Sequence, residues 1–135
     1  MDYIIEKDYE LHVVNDYGCQ IFDLPFSKYM NQLLKPYLVN LQTRERMTKR
    51  RFGFGHKSPI LVNEGILLLC IRSYRCQHAF YINYHEICFW KKDGQTVIIQ
   101  FKNDHCLRLP SYRIFEEQLR KVKLIVDDCY RSNIF

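Results

Sequence analysis

Between residues 58 and 110 the sequence alternates short apolar segments with turn signals, and this pattern constrains the fold more than any other feature. Asp93-Gly94 is a strong hairpin signal, because both positions of such a tight turn require residues that tolerate positive φ. Asn103-Asp104 and Asn63-Glu64-Gly65 are further turn signals. The segments between them are rich in Ile, Val, Tyr and Phe, and we predict strands at residues 59–62, 65–73, 79–91, 95–101 and 106–109.

Helical periodicity flanks this antiparallel meander on both sides. Residues 1–25 are predicted to form short strands, and residues 27–51 a helix with Ser27 as its N-cap. Pro36 either kinks that helix or starts a second one. The apolar residues of the first pattern are Met30, Leu33, Leu34, Tyr37, Leu38 and Leu41.

A second helix is predicted over residues 111–129, capped by Ser111. Its apolar stripe consists of Phe115, Leu119, Val122, Val126 and Cys129. Tyr112, Phe115 and Gln118 are expected to hold this helix in place. The predicted fold is α+β: an antiparallel sheet meander with an amphipathic helix in the N-terminal half and a C-terminal helix packed on the sheet. Residues 1–135 are the size of one domain.

Six cysteines occur in the chain, and no charged-then-apolar leader opens it. We therefore expect free thiols, buried in the core of a cytoplasmic protein, and not disulfides. The cysteines are Cys19, Cys70, Cys76, Cys88, Cys106 and Cys129. The longest apolar run, residues 66–71, is far shorter than the roughly 20 residues that a membrane span needs, so no membrane association through a span is expected.

The positive charge is concentrated in residues 43–57. This segment holds six Lys and Arg against a single acidic residue, Glu45, and so has a net charge of +5, equal to the formal net charge of the whole chain. The remaining residues are balanced in charge. A cluster of this kind produces a local field that attracts polyanions.

Enzyme and metal chemistry are poorly matched by the sequence. Cys76-x-His78 and His85-x-x-Cys88 fit no recurrent zinc spacing, and His105-Cys106 places the two side chains on opposite faces of a strand. The stretch from Gly53 to Ser58 resembles the end of a P-loop, but His56 separates the glycine from the lysine. We predict no catalytic residue, no metal site and no cofactor.

Nucleic-acid binding is the function that the basic segment indicates best. Lys and Arg neutralise phosphates, and Phe52 and Phe54 could stack on bases or wedge between them. Two alternatives remain open: a solvated basic helix end with both Phe side chains buried, and a surface for an acidic partner protein or membrane. The candidate DNA-binding residues are Arg44, Arg46, Lys49, Arg50, Arg51, His56 and Lys57.

Several short motifs resemble the ComK family, the competence transcription factors of Gram-positive bacteria. They occur in the family's order over roughly residues 44–120. Tyr81 stands where the family carries Trp. The motifs are His56-Lys57-Ser58-Pro59-Ile60, Tyr81-Ile82-Asn83-Tyr84-His85, Phe101-Lys102-Asn103 and Ser111-Tyr112-x-x-Phe115-Glu116-x-Gln118.

The resemblance implies a transcriptional activator that binds A/T-rich promoter boxes of double-stranded DNA, largely through the minor groove. It also implies a homodimer or higher oligomer, and control by a Clp-protease adaptor. Longer members continue beyond the C-terminal helix, so we expect a short or divergent member. A protein-interaction or adaptor module that binds an acidic partner is the alternative function.

Overall fold

Strands and helices alternate in blocks along the chain. The computed structural model describes residues 1–72 and 77–132. Its strands are β1 (Tyr3–Lys7), β2 (Glu10–Asn15), β3 (Gly18–Phe22), β4 (Ile60–Asn63), β5 (Ile66–Arg72), β6 (Ala79–Asn83), β7 (Ile87–Asp93), β8 (Thr96–Phe101) and β9 (Cys106–Leu109). Its helices are α1 (Phe26–Leu34), α2 (Leu41–Phe52) and α3 (Tyr112–Ser132), and 3₁₀ turns cover Lys35–Tyr37 and Tyr84–Glu86.

The strands form two antiparallel sheets. Six strands pair in the order β3-β2-β1-β6-β5-β4, and three more in the order β7-β8-β9. Antiparallel pairing of β1 with β6, where Ile4 faces Tyr81, joins the N-terminal meander to the central one. The predicted α+β class, with an antiparallel sheet, a helix in the N-terminal half and a C-terminal helix on the sheet, is confirmed.

Both faces of the six-stranded sheet are covered at its strand β5. On β5, Leu67 and Leu69 enter the core beneath α3 and the second sheet, whereas Leu68 enters the core beneath α1. All three side chains are fully buried. A strand covered on both faces has no solvent side on which polar residues are favoured, which explains why residues 66–71 form an uninterrupted apolar run.

The prediction of one continuous strand over residues 79–91 is wrong at residues 84–86. The 3₁₀ turn Tyr84–Glu86 divides it, and its two halves join different sheets. Asn83, which is 1% exposed, caps this turn by accepting a hydrogen bond from the His85 N–H. The turn therefore sends the chain out of the first sheet and into the second.

The predicted helix over residues 27–51 is two helices. Pro36 lies in the 3₁₀ turn between them, and Leu38 adopts a left-handed conformation with φ of 59°. Tyr37 and Leu38, assigned to the apolar stripe, are exposed because the helix has already ended. Ser27 is not the N-cap, since α1 begins at Phe26 after Pro25.

The C-terminal helix agrees closely with its prediction. The Ser111 hydroxyl accepts a hydrogen bond from the Ile114 N–H at 3.2 Å, which confirms the cap. Phe115 and Gln118 are buried, as expected for residues that hold the helix in place. The buried apolar residues of α3 are Phe115, Leu119, Val122, Ile125 and Cys129.

The cysteines differ from their prediction in burial. Cys19, Cys88 and Cys106 are exposed, since they lie on edge or outward-facing strand positions, and Cys70 is half-buried. Cys129 is buried, and the five cysteines in the described ranges are free thiols. Cys76 lies outside the described residues. Within those ranges, no helix combines the length and the apolar content that a membrane crossing requires.

Candidate nucleic-acid interface

Helix α2 carries most of the basic segment and is capped at both ends. Asn40 accepts a hydrogen bond from the Thr43 N–H at 2.8 Å, and the Gly53 N–H donates to the Lys49 carbonyl at 2.8 Å. Gly53 has φ of 68°, which glycine adopts without strain. Lys49, Arg50 and Arg51 form the last turn, where cations are stabilised by the helix dipole.

One face of α2 is anchored in the protein. Leu41 packs against the core beneath α1, Thr48 is buried, and Phe52 packs against the core beneath α3. Arg46 and Arg50 lie on the opposite, exposed face, one helical turn apart. The predicted site residues are therefore distributed around the helix and do not form a single patch.

Arg44 and Arg51 face α3. They line a cleft of about 540 Å³ between α2 and α3, together with Asp128 and Cys129. The Arg51 Nε donates to an Asp128 carboxylate oxygen at 2.6 Å, and this hydrogen bond raises the pKa of Arg51. The Arg44 Nε is buried and makes no hydrogen bond to any described residue. Arg51 thus links α2 to α3, and part of its charge is neutralised.

Lys49 and Lys57 line a second groove, separate from the cleft between α2 and α3. Its volume is about 290 Å³, and Glu45 and Arg72 also line it. Burial raises the pKa of Glu45, and Lys49 partly opposes this rise. The only acidic residue of the basic segment thus lies in a groove that is also lined by Lys49, Lys57 and Arg72.

The segment that contains His56 and Lys57 is held by α3. The Gln118 amide donates to the Lys57 carbonyl at 2.8 Å and accepts from the Cys70 N–H at 2.9 Å. The Lys121 ammonium donates to the His56 carbonyl at 2.7 Å. The side chains of His56 and Lys57 stay exposed, and the Lys57 ammonium donates to the Arg72 carbonyl at 2.7 Å.

Phe52 and Phe54 stack on each other and are half-buried. Their ring centroids lie 5.4 Å apart, and both rings pack against the core beneath α3. The Lys121 ammonium lies 5.5 Å from the centroid of the Phe54 ring. These contacts favour a packing role for both rings.

Sequence reasoning missed three further cations. Arg72, Lys92 and Arg113 line a groove of about 680 Å³ together with Lys57. They come from the end of β5, the β7–β8 hairpin and the start of α3, and they are far apart in the chain. A linear charge count does not single them out, because they lie outside residues 43–57, in the part of the chain whose positive and negative charges balance.

Cys76, one of the residues considered for metal binding or catalysis, lies outside the described residues. No group of three or more His, Cys, Asp or Glu side chains suited to a metal occurs in the part of the chain that the structure describes. Burial, with a contribution from Glu45, raises the pKa of Cys70 to about 12, so its thiolate does not form near neutral pH. Burial and Lys102 lower the pKa of His85, against the effect of Glu86.

Fold and charge together define a small α+β protein in which the capped helix α2 lies at the surface and carries exposed cations. A model of the family described as ComK protein matches residues 3–128 of the 135-residue chain. The chain therefore belongs to the ComK family, whose general role is that of competence transcription factors and not of enzymes. No curated protein and no solved structure matches the chain.

Proposed function

We propose that this protein is a transcriptional activator of competence-type genes that binds A/T-rich promoter boxes of duplex DNA. In this proposal the surface that contacts DNA is centred on Arg46, Lys49 and Arg50. Residues 1–135 act as a single DNA-binding domain. The proposal rests above all on one observation: Arg46 and Arg50 project from the exposed face of α2, while Asp128 in the neighbouring cleft is already paired with Arg51.

The dimensions of DNA determine how α2 can approach it. An α-helix with its side chains is about 10–12 Å across, whereas the minor groove is about 6 Å wide. We therefore propose that α2 lies across the rim of the groove and that the side chains of Arg46 and Arg50 reach into it. A/T-rich tracts have a narrow minor groove with enhanced negative potential, which favours inserted arginines.

The other predicted residues receive secondary roles in this proposal. Lys57 and His56 are exposed at the end of the segment and contact phosphates. Arg44 and Arg51 support the position of α2 against α3. We also propose that the protein acts in the cytoplasm, as a homodimer or higher oligomer, and under the control of a Clp-protease adaptor, in line with its family.

Equilibrium binding to two duplexes tests the proposal. The two duplexes have equal length, one A/T-rich and one G/C-rich, and fluorescence anisotropy is measured at physiological salt. We expect tighter binding to the A/T-rich duplex. Arg46→Gln/Arg50→Gln should weaken this binding and reduce the preference, because it removes the side chains that enter the groove.

Lys28→Gln/Lys102→Gln is the matched control, since it removes two exposed cations outside the proposed surface. This control should keep the wild-type preference. Equal affinity of the wild-type protein for both duplexes would contradict A/T recognition. An Arg46→Gln/Arg50→Gln variant that behaves like the control would contradict the α2 surface.

One observation favours the alternative, a module for an acidic partner protein. The cleft between α2 and α3 is lined by the apolar side chains of Met47, Leu61 and Ile125. Arg44 and Arg50 also line it. Such a cleft suits an acidic segment with apolar side chains. Under this alternative, Met47→Ser weakens binding of an acidic apolar peptide and leaves duplex affinity unchanged.

A further inference from the structure

A second cationic surface lies outside the helix that carries the basic segment. It is the groove of about 680 Å³ that runs between the β7–β8 hairpin and the start of α3. Four of its lining residues are cations, contributed by four separate parts of the chain. These are Lys57, Arg72, Lys92 and Arg113.

No acidic side chain lines this groove among the described residues. The acidic residue next to Lys92, Asp93, is paired with Arg108 at 2.9 Å. Arg113 also borders a depression on α3 that contains Glu116 and Glu117, and Glu117 lies 3.6 Å from the Lys121 ammonium. Lys57, Arg72 and Lys92 therefore have no acidic side chain beside them in the described lining of the groove, whereas Arg113 has Glu116 and Glu117 nearby.

The walls of the groove are ordered by contacts that leave the cations at the surface. The Lys92 ammonium lies 5.0 Å from the centroid of the Tyr112 ring, and the Tyr112 N–H donates to the Gln95 carbonyl at 2.7 Å. The Lys57 ammonium donates a hydrogen bond to the Arg72 carbonyl at 2.7 Å. Two cations are thus held in place before any ligand arrives, which lowers the entropy cost of binding.

The groove is continuous with the α2 surface. Lys57 and Arg72 line both this groove and the smaller one that contains Lys49. The cations therefore follow one another from α2, past the start of β4 and the end of β5, to the start of α3. An extended polyanion fits this arrangement better than a compact anion, because the charges are spread along a path.

We propose that this groove, lined by Lys57, Arg72, Lys92 and Arg113, is a second contact for the DNA backbone, on the same duplex that α2 reads. The proposal rests on the proposed DNA-binding function. Its ligand is the sugar–phosphate backbone and not the bases, since Lys and Arg side chains spread along a path match the repeated negative charges of the phosphates. The groove contributes affinity and orientation, whereas the A/T preference comes from α2.

Salt-dependent binding of the full chain tests this contact. Each phosphate contact contributes about 0.9 to the slope of log affinity against log salt concentration on duplex DNA. Lys92→Gln/Arg113→Gln should therefore make the slope shallower by about 1.8, and the ratio of affinities for A/T-rich and G/C-rich duplexes should stay at its wild-type value. Glutamine keeps much of the aliphatic stem, so we expect the variant to keep the fold, and circular dichroism of the variant checks this.

Lys28→Gln/Lys102→Gln again serves as the charge-matched control. If the groove variant has the slope of this control while Arg46→Gln/Arg50→Gln weakens binding, the groove proposal is overturned and the α2 proposal stands. If the groove variant changes the A/T preference, the groove reads sequence and the proposal is overturned as well. If wild-type protein does not bind duplex, both proposals fall. A mononucleotide that binds the groove as tightly as duplex would identify a small-anion site instead.

Discussion

Asn83 joins three parts of the chain through its side-chain amide. The amide nitrogen donates to the carbonyl oxygens of Met1 and Gly65, at 2.8 and 3.0 Å. The amide oxygen accepts from the N–H of Leu67 at 3.2 Å. The residue belongs to one of the motifs that resemble the ComK family, and its contacts give that motif a structural explanation. Tyr81 in the same motif stacks on Phe26, with ring centroids 3.8 Å apart.

Replacement of Asn83 should be strongly destabilising. In Asn83→Ala the buried Leu67 N–H and the less buried Met1 and Gly65 carbonyls lose their partner, and an unsatisfied buried polar group costs about 1–3 kcal/mol. We expect the free energy of unfolding in urea to fall by at least about 2 kcal/mol. Gln20→Ala on the exposed strand β3 is the control, with a change of within about 0.5 kcal/mol. Equal stability of the two variants would contradict the role given to Asn83.

His85 should make stability depend on pH. Its pKa in the folded protein is lowered from 6.5, chiefly by burial and then by Lys102, so folding favours the neutral imidazole. This contribution is present above about pH 6.5 and is lost as the pH falls through the lowered pKa. Between about pH 7 and 5, the free energy of unfolding should decrease more for the wild type than for His85→Gln. Parallel pH profiles of the two proteins would contradict this assignment.

Helix α2 is short and exposed, and its termini account for much of its stability. Its mean hydropathy is low and Thr48 is its one buried side chain among those described, so capping bonds matter more than they do for α3. Asn40 supplies the first cap, and the Asn31 side chain accepts from the Leu41 N–H at 2.7 Å. The position of the basic side chains therefore depends on polar contacts at the start of the helix.

Removal of the N-cap should destabilise the protein measurably. Asn40→Ala is expected to lower the free energy of unfolding by about 1 kcal/mol, because the Thr43 N–H loses its acceptor. Asn40→Ser keeps a side-chain oxygen that can cap the helix. It should therefore lower the free energy of unfolding by only about a few tenths of a kcal/mol. Chemical denaturation measures both values. If alanine and serine are equivalent at this position, the cap does not stabilise α2.

At the scale of elements, the sequence predicts structure well where local signals are complete. Helix α3 has a cap and a regular stripe: the cap is found as predicted, and the stripe differs in that Ile125 is buried and Val126 only half-buried. The turn at Tyr84–Glu86 was missed because it depends on Asn83 bonding to the distant Met1 and Gly65 carbonyls, which no local pattern reveals. The end of α1 was ambiguous for a different reason: Tyr37 and Leu38 continue the apolar period but are exposed in the fold.

At the scale of the whole molecule, the distribution of charge differs from its distribution along the sequence. Residues 43–57 carry the net charge, yet folding pairs Arg51 with Asp128 and turns Arg44 toward α3. Folding also brings Arg72, Lys92 and Arg113 beside Lys57. The linear pattern therefore identifies the most basic helix, whereas the extent of the cationic surface follows only from the topology.

The salt dependence of duplex binding tests the central claim, that Arg46, Lys49 and Arg50 of α2 are the DNA contact. The measurement compares Arg46→Gln/Lys49→Gln/Arg50→Gln with the control Lys28→Gln/Lys35→Gln/Lys102→Gln, on an A/T-rich duplex. Both variants lose three positive charges. We predict that the α2 variant reduces the steepness of the log–log slope by about 2.7, at about 0.9 per phosphate, while the control keeps the wild-type slope. Identical slopes for the two variants would contradict the claim.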